Sequence, residues 1–182
     1  MMTLDDLQTR LQESVDWLSK EFAAIRTGQA TPALLDSIKV DNYGAKTPID
    51  QVGSIGIEDA RTLRISPWDA GSIASIETAI VEADLGVSVS TDSAGLRVIF
   101  PELTSERREQ LIKLSKQKLE EARVSVRSAR DDIMKALDQQ EKVGDISEDE
   151  KFTQREHVQK LVDETNKKLD EQYAAKESEM SQ

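Results

Sequence analysis

The sequence predicts an α+β protein in which a long three-helix bundle carries an inserted small α/β domain, a β-α-β sandwich. Apolar residues recur at helical spacing in three long stretches, one at the start of the chain and two after residue 104. Between them, residues 32–102 change to short β-branched segments separated by glycine and proline. Three amphipathic helices bury their apolar faces most simply against one another, so the middle region is predicted to interrupt a bundle.

The first stretch predicts a helix from about Leu4 to a stop near Gly28. Thr3 suits the N-cap position, and the acidic Asp5 and Asp6 suit the positive end of the helix dipole. Thr31 precedes a proline and is therefore pushed away from helical angles. The apolar stripe of this helix consists of Leu4, Leu7, Leu11, Val15, Leu18, Phe22 and Ile25.

The middle region predicts five strands and one short helix. Gly44 and Ala45 form a turn, and Pro48 belongs to an edge or a loop. The helix covers Ser72 to Ala83, with Ser72 as its cap. The strands are predicted at Ile38–Tyr43, Ser54–Ile57, Thr62–Ser66, Ser88–Thr91 and Leu96–Phe100.

Two further helices are predicted after Thr104. No glycine or proline occurs from Ser105 to Val143, a run of 39 residues that forms a rod of about 58 Å if it is unbroken. Gly144 ends this helix, and Ser147 with Glu150 forms a capping box for the next one, which runs to about residue 178. The side chains predicted to be buried along that last helix are Phe152, Val158, Leu161, Val162, Leu169 and Tyr173.

These elements predict two domains, a discontinuous bundle of residues 1–30 and 104–182 and an inserted domain of residues 31–103. Two proline-bearing linkers join the domains, and they are expected to lie side by side, where they act as a hinge. The predicted hinge residues are Gln29, Ala30, Thr31, Pro32, Pro101, Glu102, Leu103 and Thr104.

An arginine stripe on the second long helix is the main candidate binding site. Arg123, Arg127 and Arg130, joined by Lys116, share one helix face within an arc of about 60°. Residues 107–130 hold eight Lys or Arg against three Glu, a local charge of +5 in a chain of net charge −11, which leaves −16 elsewhere. Two interpretations stay open. One is phosphate binding, for which arginine is suited. The other is a solvated face, in which Glu120 pairs with Arg123 and Asp131 pairs with Arg127 or Arg130.

Other chemistry is weakly represented. Neither G-x-x-x-x-G-K-[ST] nor G-x-G-x-x-G occurs, and the chain has no cysteine, so the usual phosphate loops, disulfides and thiolate chemistry are excluded. His157 has no triad partner, and Asp145, Ser147 and Asp149 lack the glycine of a calcium loop. We therefore expect no catalytic residues, no metal and no cofactor. No secretory signal or apolar run of about 18 residues is present, and a cytoplasmic protein is expected.

Several blocks together resemble the bacterial ribosome recycling factor family, in order and over nearly the whole chain. They are RTGQATPALLDSIKVDNYG at 26–44, TPIDQVGSIGIEDARTLRI at 47–65, LTSERREQL at 103–111, ARVSVRSARDD at 122–132, DISEDE at 145–150 and VQKLVDETNKKLDE at 158–171. The resemblance implies an L-shaped factor, without an active site, that works with elongation factor G to split the post-termination 70S ribosome into subunits. It also implies a monomer with no membrane or DNA partner.

The resemblance further implies that Arg123, Arg127 and Arg130 contact large-subunit ribosomal RNA, with Arg107 and Arg108 as accessory contacts. Asp131 and Gln29 depart from the family, because each stands where a basic residue is common. The alternative function, from a different class, is a helical adaptor or holdase that binds partner proteins through its apolar stripes.

Overall fold

A computed structural model describes residues 1–181 of the chain. The chain divides into two compact units, Met1–Arg26 with Ser105–Ser181 (the bundle unit) and Thr27–Thr104 (the α/β unit). The boundaries predicted at 30/31 and 103/104 lie four residues and one residue from the observed ones. Residues 27–30, which were predicted to belong to the bundle, therefore belong to the α/β unit.

The predicted helices and strands occur in the predicted order, with one strand and one four-residue helix that were not predicted. In chain order they are α1 (Leu4–Ala24), β1 (Lys39–Asn42), β2 (Ala45–Pro48), α2 (Ile49–Val52), β3 (Gly53–Asp59), β4 (Thr62–Pro67), α3 (Ile73–Glu82), β5 (Ser88–Thr91), β6 (Leu96–Ile99), α4 (Ser105–Val143) and α5 (Glu148–Met180). Short 3₁₀ helices at Pro32–Leu35 and Ala70–Ser72 complete the description. The α+β class is confirmed.

The bundle unit is built on α4, which contacts both α1 and α5 along its length. Both predicted helix starts are confirmed: Thr3 and Asp6 form a capping box at α1, and Ser147 and Glu150 form one at α5. Each box satisfies backbone N–H groups that have no partner inside the helix. Gly144 adopts a φ of 80° directly after α4, which explains why a glycine stands there.

Of the six residues of the predicted α5 stripe, three are buried, Leu161 and Tyr173 are partly buried, and one is exposed. Val158, Val162 and Leu169 are at most 3% exposed, whereas Phe152 is 63% exposed, so its predicted burial is wrong. At 100° per residue Phe152 points about 120° away from Val158, outside the arc that faces α1 and α4. Phe152 was included in the predicted stripe because it is apolar and lies near the start of the helix, and not because of its helical spacing.

The α/β unit contains two antiparallel sheets. Strands β1 and β2 form a hairpin, and the other four form a sheet in the order β3-β4-β6-β5. Strand β2 was not predicted, because Ala45–Pro48 was assigned to a turn and to an edge or loop. Pro48 lies opposite Lys39 at the end of this hairpin, an edge position where its missing N–H is tolerated. The core combines α2, α3 and the strands through Val40, Ile49, Leu63, Ile65, Ile76, Ile80, Leu96 and Val98.

The start of α3 differs from its prediction. Ser72 makes no side-chain capping bond and already has helical angles. Asp69 accepts a hydrogen bond from the Gly71 N–H instead and caps the preceding 3₁₀ helix. The capping residue therefore lies three positions before the predicted one, because the 3₁₀ helix leads into α3.

Carboxylates hold all three arginines of the α/β unit. Arg64 donates to both oxygens of Asp92 at 2.7 and 2.9 Å, and Arg97 pairs with Glu58 at 2.8 Å. Arg61 pairs with Glu102. The Arg64 guanidinium and then the Ala94 and Gly95 N–H groups lower the pKa of Asp92 well below its usual range.

Gly95 is predicted to be essential for the packing of the four-stranded sheet. A Cβ atom added at this position would lie 2.1 Å from the Ile65 carbonyl oxygen, a backbone atom. Gly95→Ala should therefore lower the free energy of unfolding of the α/β unit by about 2 kcal/mol or more. Urea unfolding followed by Trp68 fluorescence, in a Trp17→Phe background, measures this effect.

Gly56→Ala is the matched control, since nothing lies within 4 Å of its added Cβ. It should leave the urea midpoint nearly unchanged. Equal midpoints for Gly95→Ala and Gly56→Ala would contradict the close approach of Gly95 to β4.

Candidate nucleic-acid interface

The structure brings Lys116, Arg123, Arg127 and Arg130 together on one face of α4. The three guanidinium-bearing side chains are 38%, 52% and 36% exposed in that order. The α4 residues that pack in the bundle core lie about a quarter-turn away. These are Ala122, Val126, Ala129 and Ile133, all at most 2% exposed. One helix therefore packs with one face and presents arginines with the next.

Each arginine of this face is paired with a carboxylate. Arg123 Nη2 lies 2.5 Å from Asp170 Oδ1, and Arg127 Nη2 lies 2.6 Å from Glu120 Oε1. Arg130 donates from Nε and Nη2 to Asp131 Oδ1 at 3.3 and 3.1 Å. Asp131 thus pairs with Arg130, one of the two partners that the sequence allowed.

Asp170 is the one member of this face that the sequence analysis missed. It lies on α5, 47 residues after Arg123, so spacing along α4 could not reveal it. A usable signal existed, because α4 and α5 form an antiparallel hairpin with a turn near residues 144–147. In such a hairpin, residues at equal distances from the turn lie opposite each other, so the region near Asp170 lies opposite Arg123.

The three arginine–carboxylate pairs are open to solvent, so other anions can reach their guanidinium groups. The hydrogen bond from Arg127 lowers the pKa of Glu120, so its carboxylate stays ionised at neutral pH. Exposed ion pairs contribute little to stability in water. A phosphate can therefore replace a carboxylate on these guanidiniums without disturbing the bundle. Lys116 is exposed and has no carboxylate partner within residues 1–181.

Arg107 and Arg108 lie away from this face. At 100° per residue Arg107 points about 180° from Lys116, and it donates to Gln110 at 3.3 Å. Arg108 points toward the core side of α4, where its Nε atom is buried. The structure therefore does not group the two predicted accessory residues with the arginine face.

The predicted hinge residues all belong to the α/β unit. Ala30 is 7% exposed, belongs to the core of that unit and donates its N–H to the Ala60 carbonyl at 2.8 Å. Pro32 begins a 3₁₀ helix, and Glu102 pairs with Arg61.

Other candidate chemistry stays unsupported. His157 is exposed. Within residues 1–181, no group of three or more acidic or histidine side chains is arranged to hold a metal ion. None of the described helices has the length and apolar character needed to cross a membrane.

Solved structures share this combination of a helical bundle and an inserted α/β unit. A solution structure of a ribosome recycling factor matches 100% of this chain and 99% of its own, with a TM-score of 0.65 and 35% identity. A second match is a structure of T. thermophilus ribosome recycling factor and E. coli elongation factor G bound to the E. coli post-termination complex. It has a TM-score of 0.61 and 37% identity, and it covers 98% of this chain and 99% of that one. The fold is that of ribosome recycling factors.

Sequence comparisons agree over almost the full length. The family model described as "Ribosome recycling factor" matches residues 18–180. The ribosome-recycling factor of Synechocystis sp. is 43% identical over 180 residues, which is 99% of both chains. That of Staphylococcus epidermidis is 44% identical over 177 residues, 97% of this chain and 96% of the relative. This chain belongs to the ribosome recycling factor family, as the sequence blocks indicated.

Asp131 is predicted to restrain Arg130. Asp131→Asn removes the carboxylate that competes with any polyanion for this guanidinium, so the variant should elute from heparin at higher salt. Asp16→Asn makes the same charge change on the solvent face of α1, where Asp16 accepts from Gln12 at 2.9 Å. Elution of both variants at the same salt concentration would show that Asp131 acts only through net charge.

Proposed function

We propose that this chain, acting with elongation factor G, dissociates the post-termination ribosome into subunits so that ribosomes are recycled. Membership of the ribosome recycling factor family supports this function. The neighbour structure of T. thermophilus ribosome recycling factor with elongation factor G on a post-termination complex supports the partner. The proposed work takes place in the cytoplasm, where ribosomes are.

The observation that carries the proposed mode of binding is the arginine face of α4. We infer that Arg123, Arg127 and Arg130 bind the phosphate backbone of large-subunit ribosomal RNA, assisted by Lys116. Arginine makes planar, bidentate contacts with phosphate, and such contacts position a protein on RNA without reading its sequence.

The charge distribution supports a single binding orientation. Residues 107–130 carry +5, whereas the remaining chain carries −16. Arg107 and Arg108 of that segment lie off the arginine face, so an anionic surface is attracted by Lys116, Arg123, Arg127 and Arg130 and repelled by the acidic remainder of the chain. In this proposal the chain is a monomer that has no active site of its own and uses no cofactor, and elongation factor G hydrolyses the GTP.

The adaptor or holdase alternative has less support. Such a protein needs an accessible apolar stripe, whereas the stripes of the three long helices are buried against one another. Leu7, Leu18, Val126, Val158 and Leu169 are each 0% exposed. Within residues 1–181, the interior faces of the bundle unit therefore leave no exposed apolar seam for a partner.

Subunit splitting is the direct test of the function. The chain should lower the light scattering of post-termination 70S ribosomes only when elongation factor G and GTP are both present, because the partner supplies the energy. The control is the same reaction with a non-hydrolysable GTP analogue in place of GTP. Splitting-competent ribosomes that keep their scattering with all components present would contradict the proposal.

Arg130→Ala should weaken binding to large ribosomal subunits by about tenfold, because one charged hydrogen-bonding group to phosphate is lost. The slope of log affinity against log salt should also fall by about one. Co-sedimentation at several salt concentrations measures both quantities.

Arg10→Ala is the matched control. Arg10 also pairs with an α4 carboxylate, Asp132, at 2.7 Å, but Asp132 lies about 160° round α4 from Lys116. This variant should keep the affinity and the slope. The RNA-contact role of Arg130 fails if both variants bind alike.

A further inference from the structure

Lys176 is a buried lysine that the proposed binding face does not use. Its side chain is 9% exposed and lies on α5, in the bundle unit. The ammonium group donates to the Ile25 carbonyl oxygen at 2.8 Å and pairs with Glu179 Oε2 at 3.1 Å. A lysine is almost never buried without partners, so these two acceptors explain why this one can be.

The carbonyl group that accepts this hydrogen bond lies at the C-terminal end of α1. Ile25 is the C-cap residue of α1, with extended backbone angles, and its own N–H donates to Phe22 at 3.1 Å. The last turn of α1 contains no basic residue. A cation near the C-terminal end of a helix is stabilising because that end carries a partial negative charge. Lys176 supplies this cation from another helix.

Neighbouring contacts fix the same end of α5. Met180 is fully buried, with its sulfur 4.0 Å from the Ser115 hydroxyl of α4. Gln172 donates to the Val15 carbonyl of α1 at 3.3 Å. The last turns of α5 therefore hold both α1 and α4.

Ile25 is the second-to-last residue of the first segment of the bundle unit. The boundary between the units follows Arg26, one residue later, and the chain returns to the bundle at Ser105. Beyond the boundary the backbone is fixed again, within the α/β unit. The Ala30 N–H donates to Ala60, and a Cβ added at Gly28 would lie 3.3 Å from the Pro101 carbonyl.

We propose that Lys176 is a positioning residue for ribosome recycling, which fixes the end of α1 so that bending is confined to the Arg26–Thr27 and Thr104–Ser105 junctions. This places the pivot at the edges of the segments predicted as the hinge, since Ala30 is fixed inside the α/β unit. Without Lys176, bending extends into the last turn of α1, and motion of one unit is transmitted less effectively to the other. The inference rests on the proposed function.

Hydrogen exchange tests the local effect. Lys176→Met keeps a long apolar side chain but removes the donor and the charge, so exchange of the Ile25 amide should rise about tenfold. The Ala30 amide, on the other side of the boundary, should exchange as in the unchanged chain. Lys176→Arg keeps a cation and donors, and it should restore most of the protection even if the Met variant is poorly folded.

Splitting kinetics test the functional effect. At saturating concentration, Lys176→Met should split post-termination ribosomes about fivefold more slowly, whereas its half-saturating concentration should change less than twofold. Lys118→Met is the matched control: Lys118 is also partly buried and joins α4 to Glu21 of α1 at 3.3 Å, without contacting Ile25. It should lower bundle stability but keep the maximal splitting rate.

The possible outcomes separate the two proposals. If the unchanged chain does not split ribosomes with elongation factor G and GTP, the proposed function fails. If it does, and Lys176→Met either keeps both the Ile25 protection and the maximal rate or behaves like Lys118→Met, the positioning role of Lys176 is overturned. A lower maximal rate with an unchanged half-saturating concentration, restored in Lys176→Arg, supports it.

Discussion

The buried seam of α4 is the constraint on which the rest of the structure depends. Its apolar positions face α1 and α5 at the same time, so both of those helices bury a large part of their stripes against it. The same seam decides which α4 residues face solvent. Because Val126 and Ala129 are buried, Arg127 and Arg130 must lie on the neighbouring, open face. The helical register of α4 therefore determines both which residues pack in the core and which arginines face solvent.

Much of the fold could be predicted because its signals are local. The bounds of α4 and of β5 match the observed ones, since glycine and proline stop the first and β-branched residues mark the second. Strand β2 was missed because Ala45–Pro48 has neither alternation nor β-branched residues apart from Thr47. Its strand geometry comes from pairing with β1, a tertiary contact that residue types alone do not show.

The same distinction applies to the candidate site. Spacing within one helix grouped Arg123, Arg127 and Arg130 correctly, because neighbours at three and four residues share a face. Asp170 and Lys176 could not be assigned from spacing, since each acts on a different helix from its own. Distance from the turn between α4 and α5 indicates only the region opposite Arg123, and the packing of the assembled helices selects Asp170 within that region. Asp131 was partly predictable. Helical spacing allowed it two partners, Arg127 and Arg130, and the structure pairs it with Arg130.

The discontinuity of the bundle unit has a consequence for how the chain is made. Residues 1–26 leave the synthesising ribosome first, but their packing partners begin only at Ser105. The α/β unit, which is continuous in sequence, can complete its core during that interval. The apolar stripe of α1 has no helix to cover it until α4 and α5 have been synthesised, at a rate of about 5–20 residues per second. An inserted domain thus delays the burial of the first helix by several seconds.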